Sequence, residues 1–412
     1  MKAAIIGSTN LSHLGGGEVN AIMTAELLKE IGYEVTLYGF GDRRNFTKYA
    51  FSNLGFHYVP DAFKGNIFTH PAIMEITNLK SMGLVGLLSI KNLLEKLKDC
   101  DLVYFMYPSI VSSRLAPILA NKKIMVIIGN HGTFFESLKT WGVLGEAVSY
   151  LIGFLLLGKI SALKNNIKIH VQNSFQSNFY LRIGFEKNLI FEIPQNNVDF
   201  SKYNCKRNEG AFKVCFLGRM VKGKGVDVLL GIIKKYRDIE IFIIGEGPLL
   251  RRLQSVAEKK KRKNVHVLSR VSEEQKRDIL SNCDAMIVPS ISDSLSIATI
   301  EGIASGLHII TSDKSNGPRY IISKSPLMGR IVKRKAAAFH EEIISLSRFK
   351  ERDSADFERR KEIRKTTGQL MFDRRAIEKS MKSMFQGKHE SHAMPAGEGV
   401  ENLYSFVGLK RV

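Results

Sequence analysis

Along most of the chain, apolar runs too short for a helix alternate with longer stretches in which apolar residues recur every three or four positions. Near the start, Ala3 to Gly7 predicts a strand, Glu18 to Ile31 a helix closed by Gly32, and Glu34 to Tyr38 a second strand. Leu102 to Phe105, Ile124 to Ile128, Ile167 to Val171 and Leu189 to Ile193 read as further strands, and Ser174 is expected to cap a helix that ends near Gly184. Between Asn45 and Lys98 the pattern is less legible, with helical segments near Ile73 to Leu79 and Leu84 to Leu97. After Glu209 a second series begins. Strands are expected at Phe212 to Leu217, Ile239 to Ile244, Val265 to Leu268, Ala285 to Val288 and Leu307 to Thr311. The helices between them are expected at Gly225 to Tyr236, Leu249 to Lys263, Glu273 to Ser281 and Leu295 to Ala304. Strict alternation of this kind predicts an α/β protein with parallel sheets covered by helices on both faces.

A chain of 412 residues can bury more than one core, and two or three domains are expected. The charge balance adds a constraint: 61 Lys and Arg against 40 Asp and Glu leave +21, which points to an anionic partner such as nucleic acid, a nucleotide or a membrane surface. Cys100, Cys205, Cys215 and Cys283 are widely spaced and form no Cys-x-x-Cys pair. The expectation is a reduced, intracellular protein with no structural metal. The opening MKAAIIGSTN is too soon interrupted for a signal peptide. The most hydrophobic segment, AVSYLIGFLLLG within Trp141 to Ile160, is short for a bilayer span and reads as a core helix; the alternative is a patch that dips into a membrane surface.

The chemistry concentrates where strands end. Cys283 to Gly306 reads as strand, polar turn and helix, so free N–H groups and a positive dipole end face the carboxyl edge of a sheet. Asp293 lies in that turn, Ser294, Leu295, Ser296 and Ile297 at the helix start, and Glu301 inside the helix. A second loop, GRMVKGKG, carries Arg219 and Lys224, two cations able to neutralise a diphosphate. Gly245 opens a third loop, GEGP, and Gly15, Gly16 and Gly17 let backbone approach a ligand closely. His131 stands at the end of a strand, before Gly132; a single histidine there is more often structural.

Together these motifs resemble retaining glycosyltransferases of family 4. The carboxylate, seven residues and Glu301 match the family's Glu-x7-Glu with Asp293 as the first member, Gly218 to Gly225 matches Gly-Arg-x-x-x-x-Lys-Gly, and the Gly15-Gly16-Gly17-Glu18 opening matches Gly-Gly-Ala-Glu with Gly17 for Ala. Pro194 to Asp199 resembles the Pro-Asn-Gly-Val-Asp that closes the family's first domain, with one residue inserted and Asn197 for Gly. The resemblance implies the GT-B fold, two Rossmann-like doubly wound parallel-sheet domains facing a cleft. Its domains would be 1–196 on the acceptor side, 197–370 for the nucleotide sugar, a helix over 371–386 returning to the first domain, and a flexible tail over 387–412.

The resemblance further implies transfer of a hexosyl or N-acetylhexosaminyl group, with retention, from a UDP- or GDP-sugar to a saccharide or lipid-linked acceptor. His131, Arg219, Lys224 and Asp293 are then the expected catalytic groups, with His131 reaching the transferred sugar. Gly16, Gly17, Arg219, Lys224, Gly245, Ser294, Leu295, Ser296, Ile297 and Glu301 are expected to hold the donor, and Glu301 suits the ribose hydroxyls. No cofactor and no metal are expected: the one Asp-x-Asp, Asp99 and Asp101, precedes a strand and so sits at the wrong end of the sheet. The location expected is cytoplasmic, with peripheral attachment to the anionic inner face of a membrane as an option. The alternatives are a GT-B relative acting as an epimerase or phosphorylase, and a basic nucleic-acid-binding protein. The latter lacks aromatic-interleaved basic stretches, so no nucleic-acid partner is expected.

Overall fold

The computed structural model describes residues 1–7, 16–41, 55–60, 90–131, 151, 155, 157, 160, 166–208, 210–235, 239–259, 262–291 and 293–388. The chain divides into two compact units, one of Met1–Asn197 with the helix Arg374–Phe385, the other of Val198–Asp373. Gly15, Gly132, the segment Ile73 to Leu79 and most of Trp141 to Ile160 lie outside the described residues, as does the tail beyond Lys388.

The first unit runs β1 (Lys2–Ile6), α1 (Gly16–Glu30), β2 (Glu34–Gly41), β3 (Gly55–Pro60), α2 (Ile90–Leu97), β4 (Leu102–Phe105), α3 (Ile110–Asn121), β5 (Met125–Asn130), β6 (Ile167–Val171), α4 (Ser174–Arg182) and β7 (Ile190–Glu192). Its seven strands are all parallel, in the order β3-β2-β1-β4-β5-β6-β7. β1 and β4 are apolar at nearly every position because helices cover both faces of a parallel sheet, which leaves no side to solvent. Residues from both faces fill two cores; one takes in Leu115, Val126 and Tyr180, the other Leu28, Tyr104 and Phe191. The C-terminal helix contributes Ile377, Met381, Met384 and Phe385 to the second of these cores, and Lys382 pairs with Glu30 at 2.7 Å.

The second unit continues with β8 (Lys213–Leu217), α5 (Val226–Ile233), β9 (Glu240–Ile244), α6 (Leu250–Lys259), β10 (Val265–Leu268), α7 (Glu273–Ser281), β11 (Ala285–Val288), α8 (Ile297–Ala304), β12 (His308–Ser312), α9 (Asn316–Lys324), β13 (Gly329–Val332), α10 (Ala336–Arg352) and α11 (Ser354–Met371). Arg374–Phe385 is α12. The six parallel strands lie in the order β10-β9-β8-β11-β12-β13. Two doubly wound Rossmann-like units of this kind are the GT-B fold. In the second sheet the winding direction reverses between β8 and β11, so the loops leaving these two strands border the crevice at which such sheets bind ligands.

Several local expectations change. α1 begins at Gly16, so Gly16 and Gly17 form the first helical turn instead of a loop before it. The cap of α4 is Asn173, whose side chain accepts from the Gln176 N–H at 3.0 Å, one residue before the expected Ser174. β13 carries no sequence signal because it is a short edge strand with Arg330 and Ile331 exposed. The apolar segment before Ile160 is mixed among its described residues: Leu157 and Ile160 are buried, while Leu151 and Leu155 are 58% and 63% exposed. Among the described residues no helix is long and apolar enough to cross a membrane.

Candidate functional site

The loops after β8 and β11 are stitched together by backbone. The Ile291 N–H donates to the Gly223 carbonyl at 2.9 Å, and Gly225, at φ +84°, lies flat against the Pro289 carbonyl where no Cβ would fit. Gly225 thus serves two ends, a left-handed turn and a close approach. Gly225→Ala is therefore expected to destabilise the protein by at least about 2 kcal/mol, read as a lower urea midpoint; an unchanged midpoint would refute the packing argument. The GEGP loop joins the same cluster: the Met220 N–H donates to the Glu246 carbonyl at 2.7 Å, and Gly245 packs on the Gly218 carbonyl.

This stitching brings Lys224 and Asp293 together as an ion pair, Lys224 Nζ on Asp293 Oδ1. The Asp293 side chain is 8% exposed and that of Lys224 23%. Asp293 is held from two further directions: its carbonyl accepts from Gly317 N–H at 2.8 Å, and Ser315 Oγ reaches Oδ2 at 3.5 Å. Lys224, expected to neutralise a diphosphate, is paired with a carboxylate, and an anion must compete with Asp293 for it. Arg219, in the same loop as Lys224, is exposed.

The turn continues through Ser294 and Leu295 to Ser296, which takes φ +66°, ψ +84° and delays the helix by two residues to Ile297. A non-glycine residue in this region carries backbone strain, which proteins tolerate chiefly at working sites. The Ser296 side chain makes no cap; its hydroxyl accepts from Thr299 Oγ1 at 2.8 Å, leaving the first N–H groups of α8 at the C-terminal edge of the sheet.

Glu301, four residues into α8, is almost fully buried. Its Oε1 accepts from the Tyr203 hydroxyl at 2.8 Å and meets Lys276 Nζ at 2.6 Å; Lys276 also pairs with Glu273. Burial works against the Lys276 ammonium, but the two glutamates outweigh it and its pKa stands above the ordinary value. Burial, reinforced by Glu301, also raises the Tyr203 phenol, which stays a proton donor to the carboxylate. Neither Tyr203 nor Lys276 was foreseen. Lys276 looks in sequence like a solvated residue of a polar helix, and Tyr203 lies in a loop with no repeating pattern.

In the first unit His131, at the end of β5, is not an open strand-end residue. Its Nε2 lies 2.6 Å from the Tyr104 hydroxyl and its Nδ1 2.9 Å from Gln172 Nε2 and 3.4 Å from Asn20 Nδ2. Burial, then the neighbouring His170, holds its pKa well below the usual range, so it is neutral. The Asn20 Oδ1 and Gln172 Oε1 oxygens beside it are buried without a partner among the described residues.

Among the described residues no three His, Cys, Asp or Glu side chains gather as a metal set. Asp101 caps the start of the first sheet, accepting from Lys2 N–H at 2.7 Å at the edge opposite the strand ends. This chain's described residues thus offer cations and N–H donors to an anion in the second unit.

Residues 199–366 match the family model described as glycosyl transferases group 1. The chain is similar to the phosphatidylinositol N-acetylglucosaminyltransferase GPI3 subunit of Saccharomyces cerevisiae, 27% identical over 37% of each chain. It is also similar to the D-rhamnosyltransferase WbpZ of Pseudomonas aeruginosa, 35% identical over 26% of this chain and 28% of that one. The chain spans about a third of the length of these curated relatives. Among solved structures, Anabaena HepE in complex with UDP and glucose superposes with a TM-score of 0.65 over 94% of this chain and 99% of that one, at 12% identity.

Proposed function

From a chain whose residues 199–366 form a glycosyl transferases group 1 domain within a GT-B fold, we propose a family 4 enzyme that transfers a hexosyl or N-acetylhexosaminyl group with retention. The observation that supports the reading is the Lys224–Asp293 pair in the loops at the switch point of the second sheet, just before the N-terminus of α8, the helix that carries Glu301. A nucleoside diphosphate leaves with growing negative charge. Lys224, Arg219 and the α8 N–H groups of Ser296 and Ile297 would stabilise it, giving leaving-group chemistry that needs no metal ion. Gly16 and Gly17 would supply backbone that a ligand can approach, and Gly245, packed on the Gly218 carbonyl, would hold its loop in place beside the donor. Tyr203 and Lys276 hold Glu301 from one side, so the carboxylate suits the paired hydroxyls of a ribose. Asp293 would trade Lys224 for hydroxyls of the transferred sugar; His131, in the first unit, would accept from a ligand hydroxyl.

The donor we propose is a UDP- or GDP-sugar; the solved relative that holds UDP and glucose supports the uridine member. The acceptor is a saccharide or a lipid-linked one. The yeast relative, a phosphatidylinositol N-acetylglucosaminyltransferase subunit, and the +21 charge favour a lipid-linked acceptor on an anionic cytoplasmic membrane face.

Calorimetry with UDP and GDP beside hydrolysis of common nucleotide sugars tests the reading. One nucleotide should bind, and turnover should survive EDTA. Glu301→Gln should weaken nucleotide binding by about 1.5 to 3 kcal/mol, the worth of a hydrogen bond to a charged group. Failure of both nucleotides to bind sinks the donor site; turnover lost in EDTA and restored by Mg²⁺ sinks only the metal-free leaving group.

A further inference from the structure

Four adjacent strands of the first sheet are crossed by one chain of hydrogen bonds that the proposed reaction does not explain. It runs from Ile193, just past β7, to His170 on β6, Tyr104 on β4 and His131 at the end of β5. Its distances are 2.8 Å from His170 Nε2 to the Ile193 carbonyl, 2.6 Å from Tyr104 Oη to His170 Nδ1, and 2.6 Å from Tyr104 Oη to His131 Nε2. All three side chains are buried. Room for the chain is made by Gly129, which lies in register with His170 on the neighbouring strand: a Cβ there would stand 2.8 Å from Tyr104 Oη and 2.9 Å from His131 Nε2.

The directions of these bonds follow from one fixed end. A carbonyl only accepts, so His170 carries its proton on Nε2. Burial pushes the pKa of His170 down to about 4, so the ring is neutral and Nδ1 bears a lone pair. Tyr104 must then donate its proton to His170 Nδ1, and burial keeps the phenol protonated. The Tyr104 oxygen is left as an acceptor, and His131 Nε2 must supply the proton. The reverse order would set the His170 Nε2 lone pair against the carbonyl lone pairs at 2.8 Å, or demand a buried imidazolium.

We propose that Tyr104 and His170 are positioning residues that lock His131 with its proton on Nε2 and its lone pair on Nδ1. His131 then offers a ligand only an acceptor, so it meets a hydroxyl or an amide N–H and serves neither as a general acid nor as a cation. The Nδ1 lone pair now accepts from Gln172, with Asn20 at the longer 3.4 Å, and Asn20 is the contact an incoming hydroxyl would displace. The other groups facing these rings are Tyr107 edge-on to His131 and Phe385 of α12 edge-on to Tyr104; among the described residues no carboxylate or ammonium bonds to His131. The lock is a property of the first unit alone and does not depend on the glycosyl-transfer reading.

Long-range nitrogen–proton NMR of the histidine rings in the full chain, from about pH 5.5 to about pH 8, reads both tautomer and titration. The wild type should show His131 with a protonated Nε2 and a bare Nδ1, unchanged across that range. Tyr104→Phe removes the acceptor for that proton. It should give a mixture of tautomers while the ring stays neutral, because burial and His170, not Tyr104, hold its pKa low, and loss of packing alone would not move the proton between the ring nitrogens. A wild-type His131 protonated on Nδ1, or titrating inside the range, overturns the lock even if the variant does not fold. A folded Tyr104→Phe with the wild-type tautomer overturns the part assigned to Tyr104.

Discussion

Lys350→Met is expected to cost about 3 to 5 kcal/mol of unfolding free energy, the largest stability effect of any single substitution considered, because it strands a carboxylate in the core of the second unit. Asp284 opens into β11 with no exposed surface. Its Oδ1 meets Lys350 Nζ at 2.9 Å, and its Oδ2 accepts from Asn208 Nδ2 and the Lys213 N–H, each at 2.8 Å. Lys350 reaches it from α10 between the rings of Phe212 and Phe357, with centroids 6.0 and 5.9 Å away. Methionine keeps the stem's packing but removes the charge. Asp284→Asn in the Lys350→Met background should recover part of the loss, since the pair is then gone and only neutral hydrogen bonds remain. Urea unfolding of the single and double variants decides the matter. A loss under about 1 kcal/mol for Lys350→Met would mean that Asp284 finds water or another donor.

That pair also shows where sequence reading stops. The strands were legible because a parallel sheet covered on both faces makes each strand a nearly continuous apolar run, as at Ala285–Val288 and Leu102–Phe105. The loops at their ends were legible because Gly218 to Gly225 and Asp293 to Glu301 carry motifs with fixed spacing. The basic run from Arg348 to Arg375 was not. Charged runs read as solvated surface, yet α11 turns Lys361 and Arg364 inward, where they donate to the carbonyls of Lys206 at 2.7 Å and Gly306 at 2.8 Å. Which member of such a run is buried depends on which orphan carbonyls the fold leaves facing it, and no local pattern encodes that. The partners of His131 fail for a related reason. Tyr104 and His170 sit 27 and 39 positions away on separate strands, and only the sheet order makes them neighbours. Lys276 and Tyr203, which hold Glu301, come from two elements that no motif joins to α8.

Lys224→Ala should lower turnover about a hundredfold or more, by analogy with removing one donor from a site where charge develops, while weakening nucleotide binding less. The ion pair sharpens the expectation. In the ligand-free protein Lys224 is already neutralised by Asp293, so a diphosphate gains the lysine only by displacing a carboxylate that is itself anchored through Gly317 and Ser315. Part of the lysine's attraction is therefore spent on the exchange in the ground state. The attraction grows as the bond to the sugar breaks and charge gathers on the leaving group. Asp293→Asn should act in the opposite sense on binding: with its competitor neutral, Lys224 is free, and UDP or GDP should bind up to about fivefold more tightly, the scale of a partly exposed pair worth about 1 kcal/mol. Turnover should nonetheless fall, because asparagine is a weaker acceptor for the sugar hydroxyls. Calorimetry beside steady-state rates separates these effects. If Lys224→Ala keeps wild-type turnover, the lysine serves only to hold Asp293. If Asp293→Asn binds nucleotide more weakly than wild type, the pair does not oppose the ligand and the exchange described here does not occur.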